Sequence, residues 1–574
     1  MRKSSIEIFI RRRIKIVLLF FLLLFAALAS RLFILQIVQH QEYSRLAARQ
    51  HRLVKEVLSE RGIIYAQDKN GELIPLTLNK NYKTLSVSPK DIKSLEEVLN
   101  FISKNFAIGD EAIAKKISKE NDSYEVILKK IEPEKAEKLV KQLPAGVFFE
   151  DEKTRIYPHG TMAAQLLGFV SKETDEDKGR YGLERFYEKD LLGRIGLFEG
   201  AKDTAGFWVA LGKRVVSPSE NGSSLILSID YNIQLKAESL LKTAREKWQA
   251  TSGSVLVLEP STGKMFAMAS SPDFNPNEFS KEKDFSVFLN PLVESIFELG
   301  SVLKPITMAA GLEEKLVEPN STYHDPGEIK IGGYVVKNFD GKAYGIQTMT
   351  QVLEKSLNTG AIYVAKLLGH EKQYNYLKNF GFGQKTGIDL PGEVAGNIAN
   401  LAAGREIDFT TASFGQGIAV TPLQLAMALG AVANQGKLMK PYVVERIIDG
   451  SGNETTHQPA TVTEVISKET AEKLSKMLVS VVRSGFENRA GVKGYFVAGK
   501  TGTAQIPNRN GSGYSDKVIH TFIGYAPAFN PRFLVLLQLN EPKGNRFAAN
   551  TLTPVFHDLA EYILNYYEIP PDEK

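Results

Sequence analysis

A chain of 574 residues is too long for one compact core, so two to four domains are expected. Its formal net charge of +5 is supplied by the first fifteen residues, where Arg2, Lys3, Arg11, Arg12, Arg13 and Lys15 face only Glu7; the near-neutral remainder argues against a broad nucleic-acid footprint. Hydrophobic content of 43% is ordinary for folded protein, and the absence of cysteine excludes disulfides and thiolate metal sites while remaining compatible with an oxidising exterior.

Residues 1–13 form a basic tail. Residues 14–38, "IKIVLLFFLLLFAALAS", Arg31 and "LFILQIV", make a helix of roughly 37 Å at about 1.5 Å per residue, long enough to cross a bilayer. Positive charge before the span places the N-terminus inside and the rest outside. A cleaved signal peptide competes, because Ala27-Leu28-Ala29 resembles a cleavage site, and so does a buried core helix. The length of the uncharged stretch from Ile16 to Ser30, and the apolar residues that resume after Arg31, favour a retained anchor.

Residues 39–220 read as a separate region, of mixed short strand-like and helix-like pieces from about residue 61. "QHQEYSRLAARQHRLVKEVLSE" (39–60) suits a helix continuing out of the membrane. "DKNG" (68–71) is a turn, not a calcium loop. "SLEEVLNFISKNF" and "EPEKAEKLVKQL" carry apolar residues at helical spacing, and "SKETDEDKGR" (171–180) reads as a solvated loop. Few residues here suggest catalysis, so docking or scaffolding fits.

Residues 221–574 form the catalytic domain. After the linker "SPSENGSS", "LILSID" is a strand ending on Asp230, an N-cap for a helix from Tyr231 to about Lys247. "GSVLVLEPSTGKMFAMAS" is a hairpin, and "HTFIGYAPA" with "RFLVLLQLN" is a second strand pair, followed by a helix from about Leu552 to Tyr566. Strand pairs at both ends with helical stretches between them predict an antiparallel sheet covered by helices, an α+β fold.

Within it, Ser301 and Lys304 form S-x-x-K. Pro305 is tolerated only near a helix start, so the helix begins close to Ser301, with the lysine on the same face and the serine at the positive end of the dipole. A serine hydroxyl needs a base, and a lysine serves only if desolvation or a nearby cation lowers its pKa. In "FVAGKTGTAQ", Lys500-Thr501-Gly502-Thr503 follow a short apolar run consistent with a strand; Lys500 is a candidate cation, and Gly502 would let a substrate backbone approach closely. Ser356-Leu357-Asn358 falls at a break between two helical patterns. Each element alone is weak. The alternative makes Ser301 a helix cap, the two lysines surface charges and Ser356 a turn residue, but the three elements in this order argue against it. The eight histidines form no H-x-x-x-H or H-E-x-x-H pattern, and neither a metal nor a cofactor is expected. "NRNGSGYSD" (508–516) reads equally as an active-site-edge loop or a plain turn.

Ordered S-x-x-K, S-x-N and K-T-G elements resemble the signature of penicillin-binding proteins and serine β-lactamases. "RGIIYAQDKNGELI", "RIYPHGTMAAQLLGFV" and "GRYGLERFYEKDLLGRIG" resemble the pedestal of class B penicillin-binding proteins. "LSIDYNIQ", "LEPSTGKMFAMASSPDFNPNEF", "TGIDLPGE" and "SFGQGIAVTPLQLAMALGAVANQG" resemble their transpeptidase domain, closer to the division type than to the elongation type. Leu299 and Val302-Leu303 depart from the usual residues without touching a reacting group.

The resemblance implies a D,D-transpeptidase. Ser301 would attack the penultimate D-alanine of a peptidoglycan stem peptide, and Lys304 would take its proton. Ser356 and Asn358 would complete the relay and hold the substrate amide. Lys500, Thr501, Gly502 and Thr503 would line the substrate strand, with the carboxylate on Lys500 and Thr501. The N–H groups of Ser301 and Thr503 would form the oxyanion hole. β-Lactams would acylate the same serine. A multi-span membrane glycosyltransferase and other division proteins would be partners. The competing activities are a D,D-carboxypeptidase, a β-lactamase, and a non-enzymatic sensor or scaffold that keeps the fold; intact Ser301, Lys304 and Lys500 count against the last.

Overall fold

Five apolar segments make the sheet on which the site is built: β1 (Ser252–Leu258), β2 (Met265–Ser271), β3 (Ala498–Pro507), β4 (Tyr514–Ala526) and β5 (Phe533–Asn540). The computed structural model describes residues 22–39, 54–57, 59–117, 122–173, 176–194, 196–199, 214–217, 219–485, 487–508 and 513–573. The strands run in the order β2-β1-β5-β4-β3, every pair antiparallel, with Val255 opposite both Ala269 and Leu537 and Lys500 opposite Ile523. β1 and β5 are buried along nearly their whole length because both sheet faces are covered, which explains continuous apolar runs in place of alternation. Helices Tyr231–Lys247 and Thr553–Tyr566 cover one face. Helices Pro422–Ala433 and Lys468–Ser480 cover the other, with α1 (Lys304–Glu313) packed against them. The predicted Asp230 cap is present: its carboxylate accepts from the N–H groups of Asn232 and Ile233.

The chain divides into two units, residues 1–60 with 192–222 and residues 61–191 with 223–574. In the smaller one, Val54–Val57 pairs with Gly196–Glu199, which also pairs with Arg214–Ser217. The helix expected over 39–60 is therefore corrected at its end: residues 54–57 are a strand, because backbone partners from residue 196 onward outweigh the local helical pattern. Residues 40–53 lie outside the described residues. Residues 22–33 are helical and expose Leu22, Leu23, Phe25, Leu28, Leu32 and Phe33. Among the described residues no helix is long and apolar enough to cross a membrane; residues 14–21 of the expected anchor lie outside them.

In the larger unit, the segment after residue 61 is tied into the catalytic part. Strand Ile64–Gln67 runs parallel to Ser224–Asp230, which pairs on its other side with Val444–Ile448. A separate small core sits where Leu78–Val87 is flanked by Glu125–Ile131 and Val147–Ile156 and covered by Leu95–Phe106, capped by Ser94. The charged run 171–180 is not a plain loop: Phe169–Glu173 and Glu176–Arg180 form a hairpin. Its base is seated by Phe169, buried and stacked on Phe279 at 4.2 Å, so the ladder starts in the core and carries its charges outward.

An ion cluster joins three sequence-distant segments. Fully buried Glu184 accepts from Arg61 Nε and Arg155 Nε, both at 2.8 Å, and Arg61 also reaches Glu188. Burial pushes the Glu184 carboxyl up, but the two guanidinium groups outweigh it and hold it below the usual range. Its stabilising contribution is complete above about pH 4.3, the unfolded glutamate value, and is lost as the pH falls through the lower folded value. Glu184→Gln leaves two buried guanidinium groups short of a counter-charge. It is expected to lower stability by on the order of 3–5 kcal/mol, read as a reduced midpoint in chemical denaturation of the full chain. An unchanged midpoint would show that the cluster carries no net stability.

Candidate active site

The helix that Pro305 announces begins slightly later than expected. Residues Gly300–Leu303 form a 3-10 turn, and the α-helix proper starts at Lys304, with Pro305 in its first turn. In a 3-10 turn residues three apart eclipse each other, so Ser301 and Lys304 still face the same way. Nζ of Lys304 lies 3.0 Å from Oγ of Ser301. The turn is pressed against β3. A Cβ on Gly502 would lie 2.9 Å from Val302 Cγ1 and 3.0 Å from the Leu299 carbonyl, so glycine is required here by the protein's own active-site turn. A Cβ on Gly415 would lie 2.2 Å from the Gly300 carbonyl, on the opposite side of the same turn. The serine is thus held between a strand and a loop that each approach within backbone contact.

β3 is the edge of the sheet, so alternate N–H and C=O groups along Thr501 to Gln505 point away from β4, the side on which an extended peptide can be added. Lys500 faces inward from this strand, fully buried, and donates to Ser356 Oγ at 3.1 Å and to the Thr501 carbonyl at 3.2 Å. Thr503 sends its side chain to the other face, where Oγ1 accepts from the N–H of Ala548.

The third wall is the break between α2 (Met349–Glu354) and α3 (Asn358–Leu368). Ser356 sits in the break with φ +56°, a backbone state that a serine keeps only when its surroundings enforce it. Its Oγ lies between the two lysines, 3.2 Å from Nζ of Lys304 and 3.1 Å from Nζ of Lys500, and Lys304 also donates to its carbonyl. Asn358 donates through Nδ2 to the Lys337 carbonyl at 2.8 Å.

Of the predicted site residues, Ser301, Lys304, Ser356 and Lys500 form one connected cluster on the larger unit, joined by the Thr501 carbonyl; Gly502 packs behind the Ser301 turn, the Asn358 carboxamide is directed to Lys337, and the Thr503 side chain leaves for the other face. The residues that sequence reasoning passed over are those behind Asn358, Asp325 and Asn338, whose only local signals are Asp325-Pro326-Gly327 and the turn after Asn338.

The electrostatics follow from burial. Lys304 is 1% exposed, and desolvation first, then the charge of Lys500, pushes its pKa well below that of an ordinary lysine. Burial alone lowers Lys500 to about 7. An amine freed of its proton beside a serine hydroxyl can accept that proton as the oxygen attacks, and a second ammonium one hydroxyl away can hold an anionic group. The set is equipped for acyl transfer through serine. Among the described residues no group of histidine and carboxylate side chains could hold a metal ion.

Comparison with known proteins agrees with this geometry. Residues 253–561 match the family model of the penicillin binding protein transpeptidase domain, and residues 56–227 match that of the penicillin-binding protein dimerisation domain. The chain is 32% identical to Stage V sporulation protein D of Bacillus subtilis, over 97% of this chain and 85% of that protein. It is 28% identical to the peptidoglycan D,D-transpeptidase FtsI of Escherichia coli, over 96% and 91%. The crystal structure of penicillin binding protein 3 from Mycobacterium tuberculosis, complexed with ampicillin, matches with a TM-score of 0.71 at 27% identity, over 91% of this chain and 98% of that one. A dimerisation-type domain ahead of a transpeptidase domain that spans more than half of the chain places this chain among the class B penicillin-binding proteins.

Proposed function

We propose that the chain is a peptidoglycan D,D-transpeptidase of the division type, which cross-links stem peptides through an acyl-serine. The observation that carries this reading is the 3.0 Å approach of the buried Lys304 amine to Ser301 Oγ, with Lys500 poised behind Ser356. The relative FtsI is named for this activity.

In the first step Ser301 Oγ attacks the carbonyl of the penultimate D-alanine while its proton passes to Lys304. The oxyanion forms against the backbone N–H groups of Ser301 and Thr503, at the start of α1, a type of contribution worth about 3–4 kcal/mol per donor in comparable sites. Lys500 and Thr501 hold the terminal carboxylate, and the peptide lies along the free edge of β3. The amide C–N bond then breaks, and the relay through Ser356 returns a proton to the departing D-alanine. In the second step an amine of a neighbouring stem peptide attacks the acyl-serine and releases the cross-link. β-Lactams enter by the first step and stay as the acyl-enzyme.

Residues 1–13 are read as a cytoplasmic tail, 14–38 as a retained membrane anchor, 39–220 as the pedestal and 221–574 as the transpeptidase domain, both outside the cell membrane. The exposed leucines and phenylalanines of 22–33 support the anchor. Nothing in 39–220 reads as a glycosyltransferase, so glycan polymerisation falls to a partner, and a multi-span membrane enzyme contacted through anchor and pedestal suits that role.

The direct test incubates the full chain, in detergent micelles, with a fluorescent penicillin. The parent should carry covalent label and Ser301→Ala none; label persisting in the variant would remove Ser301 as nucleophile. Lys304→Ala should still bind the penicillin but acylate about 10²–10⁴-fold more slowly, as expected when a general base is deleted. The pH dependence has two limbs. Acidification puts a proton on Lys304, so the acylation rate falls as the pH drops. Alkalinisation removes the proton of Lys500, at about 7 in the free site, so ligand capture weakens as the pH rises. A bound carboxylate raises that second value, so the alkaline limb should move upward when the ligand is saturating. A rate that climbs continuously with pH at low ligand concentration would contradict the role given to Lys500.

A further inference from the structure

The Ser356–Asn358 turn is held from outside by a carboxyl group that touches none of the reacting side chains. Asp325 ends strand Thr322–Asp325, which pairs with Gly345–Thr348, and it is fully buried. Its Oδ1 accepts from Gly327 N–H at 3.1 Å, Asn338 Nδ2 at 3.0 Å and Thr359 Oγ1 at 2.6 Å. Its Oδ2 accepts from Asn338 Nδ2 at 2.9 Å and Tyr344 N–H at 2.9 Å. Both oxygens are used only as acceptors.

The consequence is transmitted by one carboxamide. Asn338, 3% exposed, follows the hairpin Glu328–Ile331/Tyr334–Lys337, and its Nδ2 is directed onto Asp325 and the Lys342 carbonyl. That fixes which way the amide faces, so its Oδ1 is turned toward α3. There it accepts from Asn358 N–H at 3.0 Å and from Thr359 N–H at 3.3 Å. These are the first backbone donors of α3, and the preceding residue, Leu357, offers no side-chain cap. Asn338 therefore caps the helix from another part of the chain, and Asn358 Nδ2 completes the tie by donating to Lys337. The capped residue stands two positions from Ser356, whose left-handed backbone needs an external constraint.

We propose that Asp325, acting through Asn338, is a positioning residue that holds the Ser356–Asn358 turn in the geometry acyl transfer requires. This rests on the roles given above to Ser356 and Asn358. Asp325 turns the Asn338 amide, the amide pins the first turn of α3, and the pinned turn sets Ser356 Oγ between the two lysines.

The test uses the full chain in detergent with a fluorescent penicillin, separating the reversible binding constant from the acylation rate constant. Asp325→Asn keeps the shape but turns one acceptor into a donor, which faces N–H groups whichever way the amide lies. Its acylation rate constant should fall roughly 10-fold or more while reversible binding changes by less than about threefold, the pattern of a misplaced reacting group. Asn338→Asp sets two carboxyl groups face to face and should lose a similar factor. A folded Asp325→Asn or Asn338→Asp protein that acylates at the parental rate overturns the proposal, and so does one whose reversible binding weakens as much as its acylation rate, the pattern of a general structural loss. Should the variants fail to fold, hydrogen exchange in the parent decides. The amides of Asn358 and Thr359 should be protected, and exchange at the rate of open peptide would refute the cap. Labelling of the parent with none in Ser301→Ala keeps the nucleophile reading intact whichever way Asp325 falls.

Discussion

Two lysines are buried within reach of one serine hydroxyl, and the rest of the catalytic unit can be understood as what it takes to keep them there. Removing an ammonium group from water costs several kcal/mol, and two of them on either side of Ser356 Oγ also repel each other. Both effects push the Lys304 pKa well below that of an ordinary lysine, the direction a base requires. That shift holds only if neither amine can swing out to solvent. Lys500 is held by an inward-facing position on β3, Lys304 by the first turn of α1, and Ser356 by a break between two helices. Strain and desolvation are concentrated in the few residues that react, while the sheet behind them is packed with Val255, Leu256, Leu536 and Leu537.

The parts of this arrangement written in short stretches were legible in the sequence. Pro305 marked a helix start within one turn, Asp230 marked another at the residue, and the paired apolar runs gave four of the five central strands. The S-x-N break was visible because two helical patterns collide there. What escaped was set by long-range partners. Residues 54–57 continue a helical pattern yet pair with a strand from residue 196 onward, and the charged run at 171–180 becomes a hairpin because Phe169 is seated in the core. Asp325 and Asn338 carry no local mark of what they do, because their partners lie 34 and 20 residues away, and an isolated Asp-Pro-Gly reads as an ordinary turn.

Gly502 shows how a residue type can be read correctly for an incomplete reason. A glycine beside Lys500 does signal close approach, but the space is taken by Val302 and the Leu299 carbonyl. The glycine lets the Gly300–Leu303 turn lie flat against the strand, and the proposed substrate would use the strand's outer edge instead. Sequence spacing locates such a contact without saying which of two neighbours makes it.

The parallel pairing of Ile64–Gln67 with Ser224–Asp230, flanked by Val444–Ile448, also bears on how the molecule is born. A strand near the start of the chain waits for a partner about 160 residues later, and the backbone N–H of Lys69 bonds Tyr566, 497 positions on. Synthesis proceeds from the N-terminus, so this strand emerges with one edge unsatisfied until Ser224–Asp230 arrives, and the Lys69 contact waits for the last helix. Such non-local closure is slow, and it leaves apolar strands uncovered in the interval. Newly made chains of this design therefore depend on being shielded from one another, and cutting the gene at the boundary between pedestal and catalytic domain would separate strands that share one sheet.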